Sequence, residues 1–421
     1  MHVRWPAAFL TAAVLVFTAL AFAPPAGASP AQGEVVSQSF DGHVLDPESL
    51  EASSAILLDI RTGALLFEKA PDEPYGPASL AKIVTLALTY AAIEQGRVAP
   101  DDLVLVSEKA WSANVPGSKM FIEVGEQIEL GTLMTGMIVA SGNDACIAVA
   151  EHLAGSEEVF VGRMNDLVQQ LGMEETVLGT VHGLPAEGQR TTPRDVARLV
   201  RFFTLTYPQA EDITRQESFT YATITQSNRN GLLFRDERVT GLKTGYTRES
   251  GYHLVATARE GEEYYAAIVM GVAAGEDLPE NVAAPIREAD AQLLLDWAFD
   301  TFDRSAVKTD DALPEEVRVY GGRERTVGIR TGEEPEVTVL AGTEDQIRVE
   351  VSVEESPVAP LSRDAVIGTL RVYWEPPEES DGAESVHLGE WNLYPAEEVE
   401  RGSWWRRLVD GILLFFQRLR Q

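Results

Sequence analysis

A serine and a lysine three residues apart, Ser79 and Lys82, are the side chains whose types and spacing most directly suggest chemistry. A serine hydroxyl becomes a useful nucleophile only when a base lies within hydrogen-bond distance of it. On a helix, residues i and i+3 share a face, so the Lys82 amine can reach the Ser79 hydroxyl, and it can act as the base if burial or a nearby cation lowers its pKa. The same spacing also fits a helix cap beside a solvated lysine, so the pair by itself leaves both interpretations open.

Two further segments carry side chains that such a reaction needs. Ser141-Gly142-Asn143 interrupts an apolar helical stretch, where its hydroxyl and amide could pass on a proton and hold a substrate amide, although the tripeptide also suits a plain turn. Lys243-Thr244-Gly245 lies in a strand-like run, where the glycine lets another backbone approach and the cation and hydroxyl could bind a carboxylate. The alternative there is an edge strand with a solubilising lysine.

The periodicity of the surrounding chain predicts how these motifs are held in place. A helix that begins at Pro77 carries Ser79 and Lys82 on its first turns. Strand patterns lie at both ends of the region and helical patterns between them, which predicts one α+β unit over residues 40–303. The predicted strands are 55–60, 64–67, 241–259 and 264–272, and the predicted helices are 77–95, 128–153 with its break at 141–143, 159–171, 192–205 and 289–302.

The remaining chain divides into three segments. An apolar run after Arg4 that ends in a small-x-small pattern predicts a secretory signal peptide over residues 1–28, with an uncleaved membrane anchor as the alternative. Alternating apolar and polar residues predict a small all-β domain over 304–396. Residues 400–421 combine a tryptophan pair and helically spaced apolar residues with five arginines, which is typical of an amphipathic helix in a membrane interface. Docking of that helix on the β domain or on a partner is the alternative.

The composition argues against several function classes. The formal net charge of −32 argues against nucleic acid as a partner, because phosphates are bound by lysine and arginine. The single cysteine, Cys146, cannot form an intramolecular disulfide, and its apolar surroundings predict a buried, inert thiol. No cluster of His, Cys and Asp has the spacing of metal ligands, so we expect no metal and no other cofactor.

The three motifs, in this order, are those of penicillin-binding proteins and class A β-lactamases. The sequence resembles the low-molecular-weight penicillin-binding proteins that are D-alanyl-D-alanine carboxypeptidases, the peptidase S11 group of the serine β-lactamase and penicillin-binding superfamily. The resemblance covers essentially all of 40–303 and extends to the β domain and the C-terminal helix. The segments that carry it are Pro77-Ala78-Ser79-Leu80-Ala81-Lys82, Val115-Pro116-Gly117-Ser118-Lys119-Met120-Phe121, Val124-Gly125-Glu126, Ser141-Gly142-Asn143-Asp144-Ala145, His182-Gly183-Leu184-Pro185, Asn228-Arg229-Asn230-Gly231-Leu232-Leu233 and Gly241-Leu242-Lys243-Thr244-Gly245.

The resemblance implies a fold, a reaction and a set of roles. The fold is an antiparallel sheet with a helical cluster. In the reaction, Ser79 attacks the bond between two terminal D-alanines of a peptidoglycan pentapeptide, Lys82 acts as the base, and Ser141 assists proton transfer. The backbone N–H groups of Ser79 and Tyr246 form the oxyanion hole. Arg229 and Arg287 match arginines near the site, and Arg229 is the better candidate to touch the terminal carboxylate. The implied substrate-binding residues are Asn143, Lys243, Thr244, Gly245, Tyr246, Arg229 and Arg287.

The resemblance also implies partners and a location. The partners are the pentapeptide, β-lactam antibiotics as covalent inhibitors, and a membrane surface bound by the C-terminal helix. The location is the periplasmic face of the bacterial inner membrane. Three positions depart from the family pattern: Tyr246 stands where several relatives have His, Thr240 where Asp is frequent, and Ala81 where Thr is common. They bear on rate, deacylation and substrate preference rather than on the class of reaction.

Three alternatives to a carboxypeptidase remain open at this point. A β-lactamase would use the same serine and lysine, but the sequence offers no clear counterpart of the class A deacylating glutamate. A peptidoglycan endopeptidase would use the same machinery on crosslinked peptides. A non-catalytic wall-binding protein would need a broken motif, and all three motifs are intact.

Overall fold

The structure is a computed structural model that describes residues 34–40, 42–309, 312–354, 356–377 and 384–418. The predicted signal peptide, 1–28, lies outside the described residues, as do the last three positions of the predicted C-terminal helix.

The strands and helices follow the predicted order closely. The strands are β1 (Val36–Ser37), β2 (Ser54–Asp59), β3 (Ala64–Lys69), β4 (Leu103–Leu105), β5 (Gln127–Glu129), β6 (Ser218–Tyr221), β7 (Ile224–Ser227), β8 (Val239–Thr247), β9 (Gly251–Glu260), β10 (Glu263–Val272), β11 (Phe302–Ala306), β12 (Glu316–Arg318), β13 (Thr326–Thr331), β14 (Glu336–Leu340), β15 (Ile347–Val353), β16 (Gly368–Trp374) and β17 (Val386–Pro395). The helices are α1 (Ala81–Glu94), α2 (Leu130–Ile138), α3 (Asn143–Ala154), α4 (Glu157–Gln170), α5 (Pro193–Thr206), α6 (Glu211–Thr214), α7 (Glu280–Thr301) and α8 (Trp404–Arg418).

A six-stranded sheet in the order β1-β3-β2-β10-β9-β8 forms the centre of the first unit. Successive side chains of a strand point to opposite faces, and both faces are covered here. On β2, Ile56 and Leu58 pack against the helical cluster that contains α1 to α5, whereas Leu57 packs on the other face with α7. Burial on both faces explains why β9 and β10 read as nearly continuous apolar runs rather than as alternating ones.

Two predicted elements have different bounds in the structure. The predicted strand 241–259 is two strands, β8 and β9, which pair antiparallel across a short connection at 248–250. Helix α7 begins at Glu280, nine residues before the predicted start, and runs through Pro285. A proline usually ends a helix because it lacks a backbone N–H. The buried face of α7 nevertheless continues across it, through Ala283, Arg287 and Ala291.

The second unit is all-β and shares an apolar core with the first. Its five-stranded sheet has the order β12-β13-β17-β16-β15, and β11 pairs with β14 in a separate two-stranded sheet. Phe40 of the first unit packs edge-on against Trp374 of the second, with ring centroids 5.3 Å apart. The hydroxyl of Thr338 donates to the buried Asp59 carboxylate at 2.8 Å. The predicted domain boundary at 303/304 falls inside β11, which spans Phe302–Ala306.

Helix α8 combines an exposed apolar stripe with a docked polar side. Asp410 is buried and accepts a hydrogen bond from the backbone N–H of Gly321 at 2.7 Å, and Arg406 donates to the carbonyl of Arg323 at 3.0 Å. The apolar side chains lie in solvent instead, among them Trp404, which is 68% exposed, and Phe416, which is 58% exposed. Over the part of the chain that is described, none of the helices has both the length and the apolar character to cross a bilayer.

Candidate active site

The predicted nucleophile lies on a single helical turn at the edge of the central sheet. Ser79 is half-buried in the 3-10 turn Ala78–Leu80, which leads directly into α1. Ala78, just before it, has a left-handed backbone with φ of 47°. On β8, a Cβ added to Gly245 would lie 3.2 Å from Cβ of Ala78 and 3.4 Å from the backbone nitrogen of Ser79, so the strand passes close to the turn and a side chain there would press against it.

The Lys82 amine makes three polar contacts at the centre of the site. Its side chain is fully buried, and Nζ lies 2.7 Å from Asn143 Oδ1, 2.9 Å from the carbonyl oxygen of His182 and 2.8 Å from Ser79 Oγ. The first two atoms only accept hydrogen bonds, so they use both N–H groups of a neutral amine. The protonated amine donates to Ser79 Oγ. In the neutral amine the remaining lone pair faces the Ser79 hydroxyl, which is the arrangement that a general base requires.

The protonation state of Lys82 is compatible with that arrangement. Burial, helped by the positive charge of Arg229, lowers the pKa of Lys82 from its ordinary value to about 8. About a tenth of the amine is thus neutral at pH 7 and about half at pH 8, without a histidine or a carboxylate as partner. This is the condition that the sequence interpretation had placed on Lys82 as a base.

Ser141 and Asn143 come from the break between α2 and α3, where the sequence predicts it. The Ser141 hydroxyl donates to Ser79 Oγ at 3.2 Å, and Ser141 itself has a positive φ of 56°. The Asn143 amide group donates to the carbonyl of Pro116 at 2.8 Å, which orients its Oδ1 toward Lys82. The structure therefore brings Ser79, Lys82, Ser141 and Asn143 into one hydrogen-bonded group.

Asp144 is a positioning residue that the sequence analysis missed. Its buried carboxylate accepts hydrogen bonds from the backbone N–H groups of Met120 at 2.8 Å and of Phe121 at 2.9 Å. Phe121 has a left-handed φ of 69°, so these bonds hold an unusual backbone beside the Ser-Gly-Asn motif. An acid in the first turn of α3 was the available signal, but an acid there also suits the helix dipole.

The His182-Gly183 segment is the second feature that only the structure explains. Gly183 has a φ of 84°, and a Cβ added there would lie 1.6 Å from the carbonyl oxygen of Ala78. No other residue permits that contact, and it is the contact that presents the His182 carbonyl to Lys82. Burial lowers the pKa of the His182 ring to about 3, so the ring is neutral.

The Lys-Thr-Gly motif forms the opposite wall on β8. Lys243 and Thr244 are buried, and Lys243 Nζ donates to the carbonyl of Thr244 at 3.1 Å. Burial, followed by repulsion from the charge of Lys82, lowers the pKa of Lys243 well below its ordinary value. Tyr246 follows with 43% of its surface exposed, and its ring stacks on Tyr252 with centroids 4.1 Å apart.

The two predicted arginines lie together beyond Tyr252. Arg287 is almost completely buried, lies 5.6 Å from the Tyr252 ring, and donates to the backbone carbonyl of Arg229 at 3.0 Å. Arg229 is partly exposed and pairs with Glu280 at 3.2 Å. Glu280 was not among the predicted site residues, and the sequence interpretation had the helix begin nine residues after it. The charge of Arg229 lowers the pKa of both Lys82 and Lys243, so it acts on the same site.

A buried histidine supports the segment before the nucleophile. His253 on β9 accepts a hydrogen bond at Nδ1 from the backbone N–H of Gly271 at 3.2 Å, so its Nε2–H donates to the carbonyl of Gly76 at 3.1 Å. Burial lowers the pKa of His253 to about 4, which keeps it neutral. It therefore ties the chain three residues before Ser79 to β9 and β10 without adding charge.

The remaining candidates for chemistry are inert in the structure. Cys146 is buried, its thiol donates to the carbonyl of Gly142 at 3.2 Å, and burial raises its pKa to about 12. Across the described ranges, no set of three or more His, Cys, Asp and Glu side chains is arranged to hold a metal ion.

Known proteins share both the sequence and the fold of this chain. Residues 42–274 match the D-alanyl-D-alanine carboxypeptidase family, and residues 302–401 match the C-terminal domain of penicillin-binding protein 5. The D-alanyl-D-alanine carboxypeptidase DacC of Escherichia coli is 33% identical over 380 residues, which cover 89% of this chain and 90% of that protein. DacF of Bacillus subtilis is 31% identical over 78% of this chain and 83% of its own length.

Solved structures confirm the predicted fold class. Penicillin-binding protein 5 from Haemophilus influenzae has 31% identity and a TM-score of 0.75, over 85% of this chain and all of that one. Penicillin-binding protein 6B from Escherichia coli has 29% identity and a TM-score of 0.65, over 85% of this chain and 99% of that one. The predicted α+β unit, β domain and family are therefore confirmed. The chain belongs to the D-alanyl-D-alanine carboxypeptidase family of penicillin-binding proteins and is a hydrolase of the class that its three motifs indicated.

Proposed function

We propose that this protein removes the terminal D-alanine from peptidoglycan pentapeptides through an acyl-enzyme on Ser79. The observation that carries the proposal is the set of contacts at Lys82 Nζ. Two acceptors occupy the N–H groups of the amine, and the Ser79 hydroxyl lies 2.8 Å from the nitrogen. Such a base can take the hydroxyl proton as the serine attacks.

The reaction has two balanced halves. As the Ser79 proton moves to Lys82, Oγ bonds to the carbonyl carbon of the penultimate D-alanine. The backbone N–H groups of Ser79 and Tyr246 stabilise the resulting oxyanion, and the close approach of Gly245 to the Ser79 nitrogen supports this pairing across the site. The C–N bond then breaks, and the leaving amine of D-alanine takes a proton from Lys82, by way of the Ser141 hydroxyl. Water finally hydrolyses the ester and regenerates Ser79.

The substrate's terminal carboxylate would be bound by the basic residues of the opposite wall. Burial lowers the pKa of Lys243 well below its ordinary value, and an arriving carboxylate favours the protonated form of the amine. Thr244 adds a hydroxyl donor, and Arg229 adds a fixed positive charge at the partly exposed edge. These local cations offset the negative field of a protein whose net charge is −32.

Mass spectrometry with a β-lactam tests the proposed chemistry. We expect benzylpenicillin to add one molecule to the mature protein, on the peptide that contains Ser79, and we expect release of D-alanine from a pentapeptide. A chromogenic cephalosporin should release about one equivalent of chromophore and then stall, because the ester hydrolyses slowly. An adduct on another residue would contradict the assignment of Ser79, and sustained cephalosporin turnover would indicate a β-lactamase.

We also propose that the mature protein is exported and attached to the outer face of the cytoplasmic membrane through α8. The helix is bound to the β domain by Asp410 and Arg406, and this contact leaves its apolar stripe facing outward. Arg318 and Arg325 line a cleft of 640 Å³ between the helix and strands β12 and β13, together with Arg406. Exposed tryptophans beside arginines suit the headgroup region of an anionic membrane.

Sedimentation with lipid vesicles tests the attachment. The double variant Leu408→Glu and Ile412→Glu changes two residues of the exposed stripe and leaves the Asp410 contact intact. We expect the mature protein to sediment with vesicles that contain phosphatidylglycerol, and both this variant and a deletion of 404–421 to stay in the supernatant. Activity on a soluble peptide should be unchanged. Sedimentation of both variants with the vesicles would contradict the proposal.

A further inference from the structure

The segment between β10 and α7, residues 273–279, folds back over the carboxylate end of the site. The hydroxyl of Tyr252 donates to the backbone carbonyl of Leu278 at 2.7 Å, and the backbone N–H of Gly275 donates to the carbonyl of Arg248 at 3.1 Å. Because Tyr252 also stacks on Tyr246, these contacts tie the segment to the wall that carries the Lys-Thr-Gly motif. The segment then enters α7 at Glu280.

Glu280 is the acidic group that this segment brings to the arginine pair. Its carboxylate oxygens lie 3.2 and 3.5 Å from Nη1 of Arg229, and one of them lies 3.9 Å from Nη2 of Arg287. Glu280 and Arg229 are each about half exposed, at 48% and 41% of their side-chain surface. The buried Nε of Arg287 has no hydrogen-bond acceptor within the described residues. The guanidinium group of Arg287 therefore keeps an unused N–H donor, and the Glu280 carboxylate occupies the more accessible guanidinium group, that of Arg229.

We propose that Glu280 occupies the substrate-carboxylate position of Arg229 in the free enzyme, and that it must give way when an anionic peptide end binds. The inference rests on the proposed function, in which Arg229 attracts the terminal carboxylate. A resident carboxylate weakens binding in two ways. The substrate must break an existing ion pair, and it meets a like charge a few ångströms away. Glu280 thus sets how strongly the enzyme holds anionic ends, and it takes no part in the bond-making steps.

The substitution Glu280→Gln isolates this effect, because it keeps the size of the side chain and removes its charge. Acylation by benzylpenicillin, which carries a free carboxylate, should become about 3- to 10-fold faster, the range expected for one partly exposed ion pair close to a second charge. Acylation by the methyl ester of benzylpenicillin should not change. For a pentapeptide substrate, KM should fall by a similar factor while kcat stays the same.

Glu276→Gln is the matched control. Glu276 is exposed, lies in the segment before α7 four residues from Glu280, and carries the same charge. If it accelerates acylation as much as Glu280→Gln does, the effect comes from overall charge and the proposal is wrong. Slower acylation by the free acid in Glu280→Gln would also overturn it, because Glu280 would then hold Arg229 in its productive position. An equal change in the acylation rates by benzylpenicillin and by its methyl ester would also show that the proposal is wrong.

The test of Glu280 and the test of the proposed function can fail independently of each other. In every one of these results the penicillin adduct still forms on Ser79, and only its rate differs between variants and ligands. Failure of the wild-type protein to form that adduct would instead overturn the proposed function itself.

Discussion

Replacement of Ser79 by alanine should abolish covalent labelling by a fluorescent penicillin and lower the release of D-alanine by about 10⁴-fold or more, since no other group can form the acyl-enzyme. The fold should survive. Ser79 lies on a half-buried turn, and its loss removes the contacts from Lys82 and Ser141, which together cost about 1 to 3 kcal/mol. Gel fluorescence gives the labelling, and circular dichroism with a thermal melt gives the state of the fold.

Ser227→Ala provides a matched control for this variant. Ser227 is an exposed serine at the end of β7, so its replacement removes the same hydroxyl from the surface and should leave labelling unchanged. Labelling of Ser79→Ala at the wild-type rate would show that another residue is the nucleophile. Loss of the native circular dichroism spectrum in Ser79→Ala would mean that the loss of labelling reflects misfolding.

Replacement of Lys82 by methionine should have the second-largest effect, a loss of about 10² to 10⁴ in the rate of acylation by benzylpenicillin. Methionine has nearly the length of lysine and no basic group.

In the wild-type protein the rate of acylation should also depend on pH. Protonated Lys82 has no lone pair, so acylation rises as the pH increases through the lowered pKa of about 8 and then levels. The rate at pH 8 should be about fivefold the rate at pH 7, given the fraction of free amine at each.

The pH series separates a base from a merely structural lysine. Lys82→Met should lose the rise around pH 8 together with most of the rate. It should also be less stable, because Asn143 Oδ1 and the His182 carbonyl lose a donor in a buried place. Lys109→Met, which changes a surface lysine paired with two glutamates, serves as the control and should keep the wild-type profile. An unchanged pH profile in Lys82→Met would contradict the assignment of Lys82 as the base.

The sequence by itself determined the family and predicted which groups react. Ser79 and Lys82 are three residues apart at a helix start, and this spacing is a local property that can be seen directly in the sequence. The break at Ser141-Gly142-Asn143 and the strand that carries Lys243 are also local, because turn chemistry and periodicity reveal them. The order of the three motifs then identified the enzyme class without any knowledge of distances.

Only the tertiary structure decided the pKa of these groups and the residues that surround them. The lowered pKa of Lys82 depends on complete burial and on the nearby charge of Arg229. The orientation of its amine depends on two acceptors, Asn143 Oδ1 and the carbonyl of His182, that lie 61 and 100 residues away. Gly183 is required because of a contact with Ala78, and Glu280 reaches Arg229 because α7 begins earlier than its proline suggests. Local patterns report on neighbours within one or two turns, whereas desolvation and ion pairing depend on which distant segments pack together. For this reason the sequence could predict Ser79 and Lys82 as the reacting pair but not Glu280 as the carboxylate beside Arg229.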